Sequence, residues 1–573
     1  MSKPSVNHNN DNLPIRLPIG RNDFGQIIEE RLGFVDKSLF IKEVLDDNIT
    51  EVSVITRPRR FGKTLNLSML HYFLASEVIG RPTKGLFDGL KITQCGEAYM
   101  KEQGKHPVVF ITFKDIKAAN FELALLTFSK RMRDVYKQYS FLLESDKLDE
   151  DDKAAFRCIV ARKSDIAALQ DSLKDLLGYL HAHYGRKPWL LIDEYDSPIH
   201  VAYSNNYYED MVGFLRGVLG AALKDNPYLK KAVVTGILRI SKESMFSGVN
   251  NLRVYSILET KYGEYFGFTE SEIQSLLTKG KIVEKFDEIR KWYNGYRFGD
   301  VTIYNPWSIA NYLDENYRAR PYWVNTSDNQ LIKDLLKKAP LDFKRSFEVL
   351  INGGSVKKVI DGNTVFKYLE NTPSGVWNLM LMGGYLKPLS SEVVRQGDLC
   401  ELAIPNEEVL SLYQLIIEQW LSNGHGFVWY NDFIESLLTG KIDKFKSDLK
   451  DVVLQIVSYH DLIKEPEAFY HGLMLGFTAS LHDTYEIKSN RESGLGRFDI
   501  MLIPKDSKKM GVVIELKIKQ DSESLDDAAK RALAQIEDRK YDQEFRQRNL
   551  SRIIKVGIGF QGKEFALEYC LTA

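Results

Sequence analysis

No run of about 18 apolar residues occurs in the chain, and its opening residues, MSKPSVNHNNDN, are polar and lack the apolar core of a signal peptide. Both absences argue against a membrane span or export, so a cytoplasmic protein with no membrane partner is expected. Cysteine is scarce: Cys95, Cys158, Cys400 and Cys570 are far apart, and no C-x-x-C pair or histidine spacing marks a zinc or redox centre. Net charge is nearly absent too. With 77 Lys and Arg against 78 Asp and Glu, the molecule as a whole exerts no field toward nucleic acid or lipid, and any polyanion contact must come from local patches. There is no internal repeat, no low-complexity tract and no residue type abundant enough for a fibrous or disordered chain.

What the chain has is length and apolar content: 573 residues, 44% of them hydrophobic, enough for about three domains with their own cores. Residues 1–13 read as a disordered tail. The runs VSVIT (52–56), VVFITF (108–113), WLLID (189–193) and AVVTG (232–236) lack two-sided alternation and are separated by helical patterns such as FELALLTFSKRMRDVYKQY. That predicts an α/β domain over 14–265, with a parallel sheet covered on both faces. Near 265 the pattern changes. FTESEIQSLL gives a helix start, with Thr269 as N-cap, Glu272 three residues on and Phe268 placed to staple against Ile273. Residues 266–330 are expected to form a helical lid with Trp292, Tyr293, Tyr296 and Phe298 in its core. Arg297 is a lesser candidate for a lid sensor. Residues 331–460 read as a helical linker whose strands YLKPL and LCELAIP would suit a winged-helix module, and 461–573 as a second α/β domain with strands in FDIMLIP, GVVIELKIK and IIKVGIGF.

VITRPRRFGKTLNLS (54–68) ends like a P-loop, G-x-x-x-x-G-K-[ST], but Arg57 stands where the first glycine belongs. The context is right. A strand precedes Gly62 and a helix follows it, with Leu65, Met69, Leu70, Phe73 and Leu74 along one face, so backbone N–H groups and Lys63 are expected to hold phosphate while the Thr64 hydroxyl ligates Mg²⁺. WLLIDEYD answers it as a Walker B strand: Asp193 for Mg²⁺, Glu194 as general base toward the attacking water. A strand between the two motifs and a glutamate after the aspartate indicate an additional-strand P-loop NTPase that hydrolyses ATP. Thr235, ending the fourth strand, is placed to sense the γ-phosphate, and Arg239 to reach a phosphate in its own or a neighbouring copy's site. Arg59 and Arg60 are expected at the nucleotide or at a neighbouring subunit, which would make the protein a homo-oligomer.

In RESGLGRFDIMLIPKDSKKMGVVIELKIK, Asp499 precedes a turn and Glu515 and Lys517 follow it two residues apart. Period-two alternation puts Glu515 and Lys517 on one face, and a symmetrical hairpin brings Asp499 opposite 515 or 516. Two carboxylates and a lysine on otherwise apolar strands need a reason. Asp499 and Glu515 would hold Mg²⁺, with Mn²⁺ an alternative, and Lys517 would orient water and stabilise charge on a phosphorane. Glu467 is the acid offered by a preceding helix. Gln535, Lys540 and Tyr541 would either touch a DNA backbone or belong to an amphipathic helix covering the sheet.

The segments LPIG, FVDKS, RPRRFGKT, LLIDEYDSPI, TGILRISKESMFSGVNNL, KWYNGYRF and YNPWS, followed by FYHGLMLGF, RESGLGRFDI, VIELKIK, AQIEDRKY and KVGIGF, resemble bacterial proteins that join an AAA-ATPase-like region to a C-terminal PD-(D/E)XK nuclease superfamily domain. In that family the leading arginines of RPRRFGK look normal. The resemblance implies an open five-stranded ATPase sheet and a mixed nuclease sheet flanked by helices. The expected activity is ATP hydrolysis coupled to Mg²⁺-dependent cleavage of nucleic acid, DNA foremost. The alternative is a regulatory nucleotide switch whose nuclease-like domain binds a partner or nucleic acid without cutting it.

Overall fold

The apolar runs without alternation do form a parallel sheet. In the computed structural model they are β1 (Val52–Thr56), β2 (Val108–Thr112), β3 (Trp189–Asp193) and β4 (Lys231–Gly236), joined by β5 (Leu252–Tyr255). They lie in the order β2-β3-β4-β1-β5, every neighbouring pair parallel. The four runs read from the sequence miss β5, which is only four residues long and exposes Arg253 at the sheet edge. The structure describes residues 16–238, 251–326, 341–351, 353–361, 373–421, 426–456, 484–489, 499–548 and 550–572, with single positions at 470, 474, 478, 481, 492, 493, 496 and 497. Arg239 and Glu467, both named above as site residues, lie outside the described residues. The chain divides into two compact units, Met1–Asp328 with Lys357–Glu408 and Asn329–Val356 with Val409–Ala573.

Register puts the chemistry of the first unit on one edge. Thr56 pairs with Gly236, Ile192 with Val234 and Thr112 with Asp193, so β1, β3 and β4 all end at the same level, where open parallel sheets place their ligands. Helix α1 (Lys63–Leu74) leaves this edge directly from Gly62 and buries Met69, Leu70, Phe73 and Leu74 completely. Asn66, Leu67, Ser68 and Tyr72 are buried as well, so the helix is covered nearly all round and Leu65, half-buried, is its open corner.

Among the described residues of 266–330 are three α-helices, Glu270–Gly280, Phe286–Tyr293 and Pro306–Asp314, and the first has the expected capping box between Thr269 and Glu272. The helical expectation omits a three-stranded antiparallel sheet, ordered Phe268–Thr269, Val301–Tyr304, Tyr296–Phe298. Tyr293, Tyr296 and Phe298 are buried, and Trp292 packs in part against the cluster that holds Tyr293. Arg297 is committed to the carbonyls of Gly299 and Leu389 and to Asp300. The strands expected in the linker form a hairpin, Lys387–Val394 with Gly397–Ala403, and Val356–Ile360 adds a third strand.

The second unit carries a mixed sheet of β6 (Tyr485–Ser489), β7 (Ile500–Pro504), β8 (Gly511–Ile518), β9 (Ile553–Gln561) and β10 (Glu564–Thr572), side by side in that order. Only β8 and β9 run parallel. Helix α2 (Leu525–Asp538) lies across β8 and β9. Its Leu525, Ala528, Ala529 and Leu533 meet Gly557 and Gly559 of β9. A Cβ on Gly557 would fall 2.4 Å from the Leu533 nitrogen, and one on Gly559 2.7 Å from the Ala529 nitrogen. The G-I-G of β9 is therefore a bed for a helix backbone.

Candidate functional sites

Two backbone irregularities shape the turn after β1: Arg60 and Gly62 have φ of 68° and 83°. Gly62 takes this conformation freely, whereas Arg60 does so at a cost of about 1 kcal/mol or more. Lys63, 6% exposed, donates from Nζ to the carbonyls of Arg57 and Pro58 at 2.9 and 2.8 Å. Burial lowers its pKa, while the charges of Glu194, Asp193 and Asp196 work the other way. Asp193, 1% exposed, accepts from Thr64 Oγ1 at 2.8 Å and from Thr235 Oγ1 at 2.7 Å. One carboxylate thus gathers the residue after the P-loop lysine, the end of β3 and the end of β4. Glu194 follows with φ of 52°, half-buried, and its pKa is raised first by burial and then by Asp193.

Arg57 is not part of a phosphate cradle. It is fully buried and donates from Nη1 to the carbonyls of Thr56 and Tyr255, each at 2.8 Å, and from Nη2 to that of Lys261 at 3.4 Å. Its guanidinium lies 5.0 Å from the Phe298 ring centre and 5.5 Å from that of Phe266. Burial lowers its pKa to about 9, which leaves it charged at neutral pH. Arg59 and Arg60 are exposed, and Arg60 stacks 4.2 Å over Trp307. Beside them a cavity of about 130 Å³ opens between Pro18, Phe34, Gly62, Leu65, Asn66 and Trp307.

Sequence reading missed Asp196. It is buried, accepts from the backbone N–H groups of Ile237 and Leu238 at 2.9 Å each, and fixes the chain just beyond β4. The second aspartate of DEYD, ahead of Pro198 and a helix start, was the available signal.

In the second unit, Ile500 pairs with Ile514, so the hairpin continues with Asp499 opposite Glu515. The Asp499 N–H donates to Glu515 Oε2 at 3.4 Å, Asp499 Oδ2 accepts from the Leu516 N–H at 2.7 Å, and Lys517 Nζ donates to Glu515 Oε1 at 2.9 Å. The structure brings all three residues together. Glu515 is 1% exposed, and burial, then the Asp499 charge, push its pKa up to about 7 against the pull of Lys517. Gly557 and Gly559 sit opposite Glu515 and Lys517, and since paired residues share a face, the helix they admit delivers Gln535 to Glu515. Its Nε2 donates to Glu515 Oε1 and, at 3.1 Å, to Tyr541 Oη. Tyr541 is 1% exposed and part of the core, in keeping with the second of the two alternatives above, a cover for the sheet; Lys540 is exposed. Among the described residues no group of three or more His, Cys, Asp or Glu is arranged to hold a metal, so Asp499 and Glu515 stand as a pair.

Residues 18–246 match the family model described as Predicted AAA-ATPase, and residues 465–569 match that of the PD-(D/E)XK nuclease superfamily. The chain joins an AAA-ATPase-like region to a PD-(D/E)XK nuclease superfamily region. The site of Lys63 and Asp193 lies in the AAA-ATPase-like region and that of Asp499, Glu515 and Lys517 in the nuclease-superfamily region. An uncharacterized protein in the vnfD 5′ region of Azotobacter chroococcum mcd 1 is 26% identical over 415 residues, which cover 71% of this chain and 70% of that one. Among the described residues no helix is long and apolar enough to cross a membrane.

Proposed function

We propose that the first unit binds and hydrolyses ATP with Mg²⁺ and that the second is a Mg²⁺- or Mn²⁺-dependent phosphodiesterase acting on nucleic acid, DNA foremost, in the cytoplasm. The observation that carries this reading is the Asp193 carboxylate held by Thr64 and Thr235 beside a buried lysine. The residues fit the ligand. Lys63 is a desolvated cation bonded to two neutral carbonyls of its own turn, an arrangement that gains from an anion. The strand order β2-β3-β4-β1-β5 supports the additional-strand assignment. Mg²⁺ would be held by Thr64 and Asp193 and would screen phosphate charge. Glu194, its proton affinity raised, accepts the proton of the attacking water. Thr235 is positioned through Asp193 to report on the terminal phosphate. The cavity beside Gly62 offers apolar walls and the Arg60–Trp307 stack to a nucleobase, and exposed Arg59 is free to reach phosphate or a second copy of the chain in a homo-oligomer.

In the second unit, Asp499 and Glu515 form a hard-oxygen pair that would hold the metal, which supplies Lewis acidity at a phosphate oxygen. Lys517 and Gln535, both on Glu515 Oε1, fix that carboxylate. Nucleotide binding, ATP turnover and cleavage of single- and double-stranded DNA and RNA test the reading, with Mg²⁺ or Mn²⁺ and with or without ATP. Lys63→Ala is expected to abolish nucleotide binding, and Glu194→Gln to bind ATP but lose turnover by about 100-fold or more. Glu515→Ala and Lys517→Ala are expected to lose cleavage. Cleavage unchanged in both, with ATP turnover lost in Lys63→Ala, would make the nuclease reading wrong and favour a nucleotide switch whose nuclease-like unit only binds.

A further inference from the structure

Between the two matched regions, 247–464 is covered by neither family model, yet it grips the phosphate-binding turn at several points. The Trp323 indole N–H donates to the carbonyl of Arg59 at 3.0 Å, and Arg60 stacks on Trp307. Phe61 packs its ring 4.8 Å from that of Tyr296. Two of these grips converge on one acid. Glu408 Oε1 accepts from the Trp323 backbone N–H at 2.6 Å, and Oε2 accepts from the hydroxyl of Ser308, the neighbour of Trp307, at 2.8 Å. Glu408, Ser308 and Trp323 are all buried. Glu408 also lies in the first turn of helix Glu407–Leu421, within which the chain passes from the first unit to the second.

We propose that Trp323 and Glu408 are positioning residues for the phosphate-binding turn and that, through them, nucleotide occupancy governs the helix Glu407–Leu421. The physical basis is that a buried acid held by the Trp323 N–H and the Ser308 hydroxyl cannot shift without breaking a hydrogen bond. Movement of the Arg59 carbonyl on filling the turn is therefore passed to Trp323 and then to the start of the helix. The coupling is reciprocal: whatever moves the helix alters nucleotide affinity by the same factor. The inference rests on the nucleotide reading of Lys63 and Thr64.

The test is hydrogen–deuterium exchange over 407–421 in the full chain, with and without magnesium adenylyl imidodiphosphate, beside direct measurement of that ligand's affinity. In the wild type the ligand is expected to change exchange in this helix at least about fivefold. Trp323→Phe, which keeps a ring but loses the indole N–H, and Glu408→Ala are expected to lose that response and to bind the ligand about three- to tenfold more weakly. Glu408→Gln keeps an acceptor for the Trp323 N–H and an amide for Ser308, and is expected to restore both. A full wild-type response in Trp323→Phe and Glu408→Ala would overturn the proposal, as would wild-type binding with no change in the helix. Absence of binding to the wild type would instead overturn the nucleotide reading itself.

Discussion

Two cations stand six residues apart at the end of β1, and their surroundings give them opposite roles. Arg57 spreads its charge over three carbonyls and two aromatic faces and fastens β1 to β5 and to the segment after it. A glycine there, as the usual P-loop has, would take the guanidinium donor from the carbonyls of Thr56 and Tyr255 and open a cavity. Arg57→Gly is expected to cost about 3 kcal/mol or more, read as a lower denaturant midpoint, without tightening nucleotide binding. Equal stability of the two proteins would show that Arg57 is dispensable. Lys63, Thr64, Asp193, Glu194 and Thr235 fall at one edge of the sheet, which strand ends and motif order, both local signals, suffice to indicate. The sequence could not show what Arg57 does, because Tyr255, Lys261, Phe266 and Phe298 meet it only after the whole unit has folded.

Among the elements, the hairpin of the second unit was the most legible. Its register follows from period-two alternation across a short turn, and Asp499 does fall opposite Glu515. The lid was less so: its strands are two to four residues long and aromatic, too short for alternation to be told from a helical face. Helix α2 was read as a cover for the sheet, and its placement depends on glycines that the strand pattern alone marks only as weak β formers. With Gly557 opposite Glu515, any side chain there would lift α2 and carry Gln535 away. Gly557→Ala is therefore expected to destabilise the second unit by about 1–3 kcal/mol, seen in urea unfolding, and to lower cleavage while nucleotide binding in the first unit stays unchanged. A variant as stable as the wild type would mean that α2 has room to spare.

On the scale of the whole molecule, a net charge of −1 means that any anion must be attracted by local means, and on the proposed reading the first unit would do so by keeping Lys63 dry. Unlike Arg57, Lys63 holds only two carbonyls of its own turn; burial opposes its charge as it does that of Arg57, and Glu194, Asp193 and Asp196 work the other way. Removing it relieves a desolvation cost and gives up two hydrogen bonds and a buried stem, whereas a bound polyphosphate would turn that cost into affinity. Ligand that binds only the folded state stabilises it by about 2.7 kcal/mol at one hundred times its dissociation constant. Scanning calorimetry with magnesium adenylyl imidodiphosphate is accordingly expected to raise one melting transition of the wild type and neither of Lys63→Ala. Without nucleotide, Lys63→Ala is expected to melt no more than about 1 kcal/mol below the wild type. A large loss of stability in the nucleotide-free variant would place Lys63 with Arg57 as a structural cation and remove the thermodynamic basis for a phosphate site.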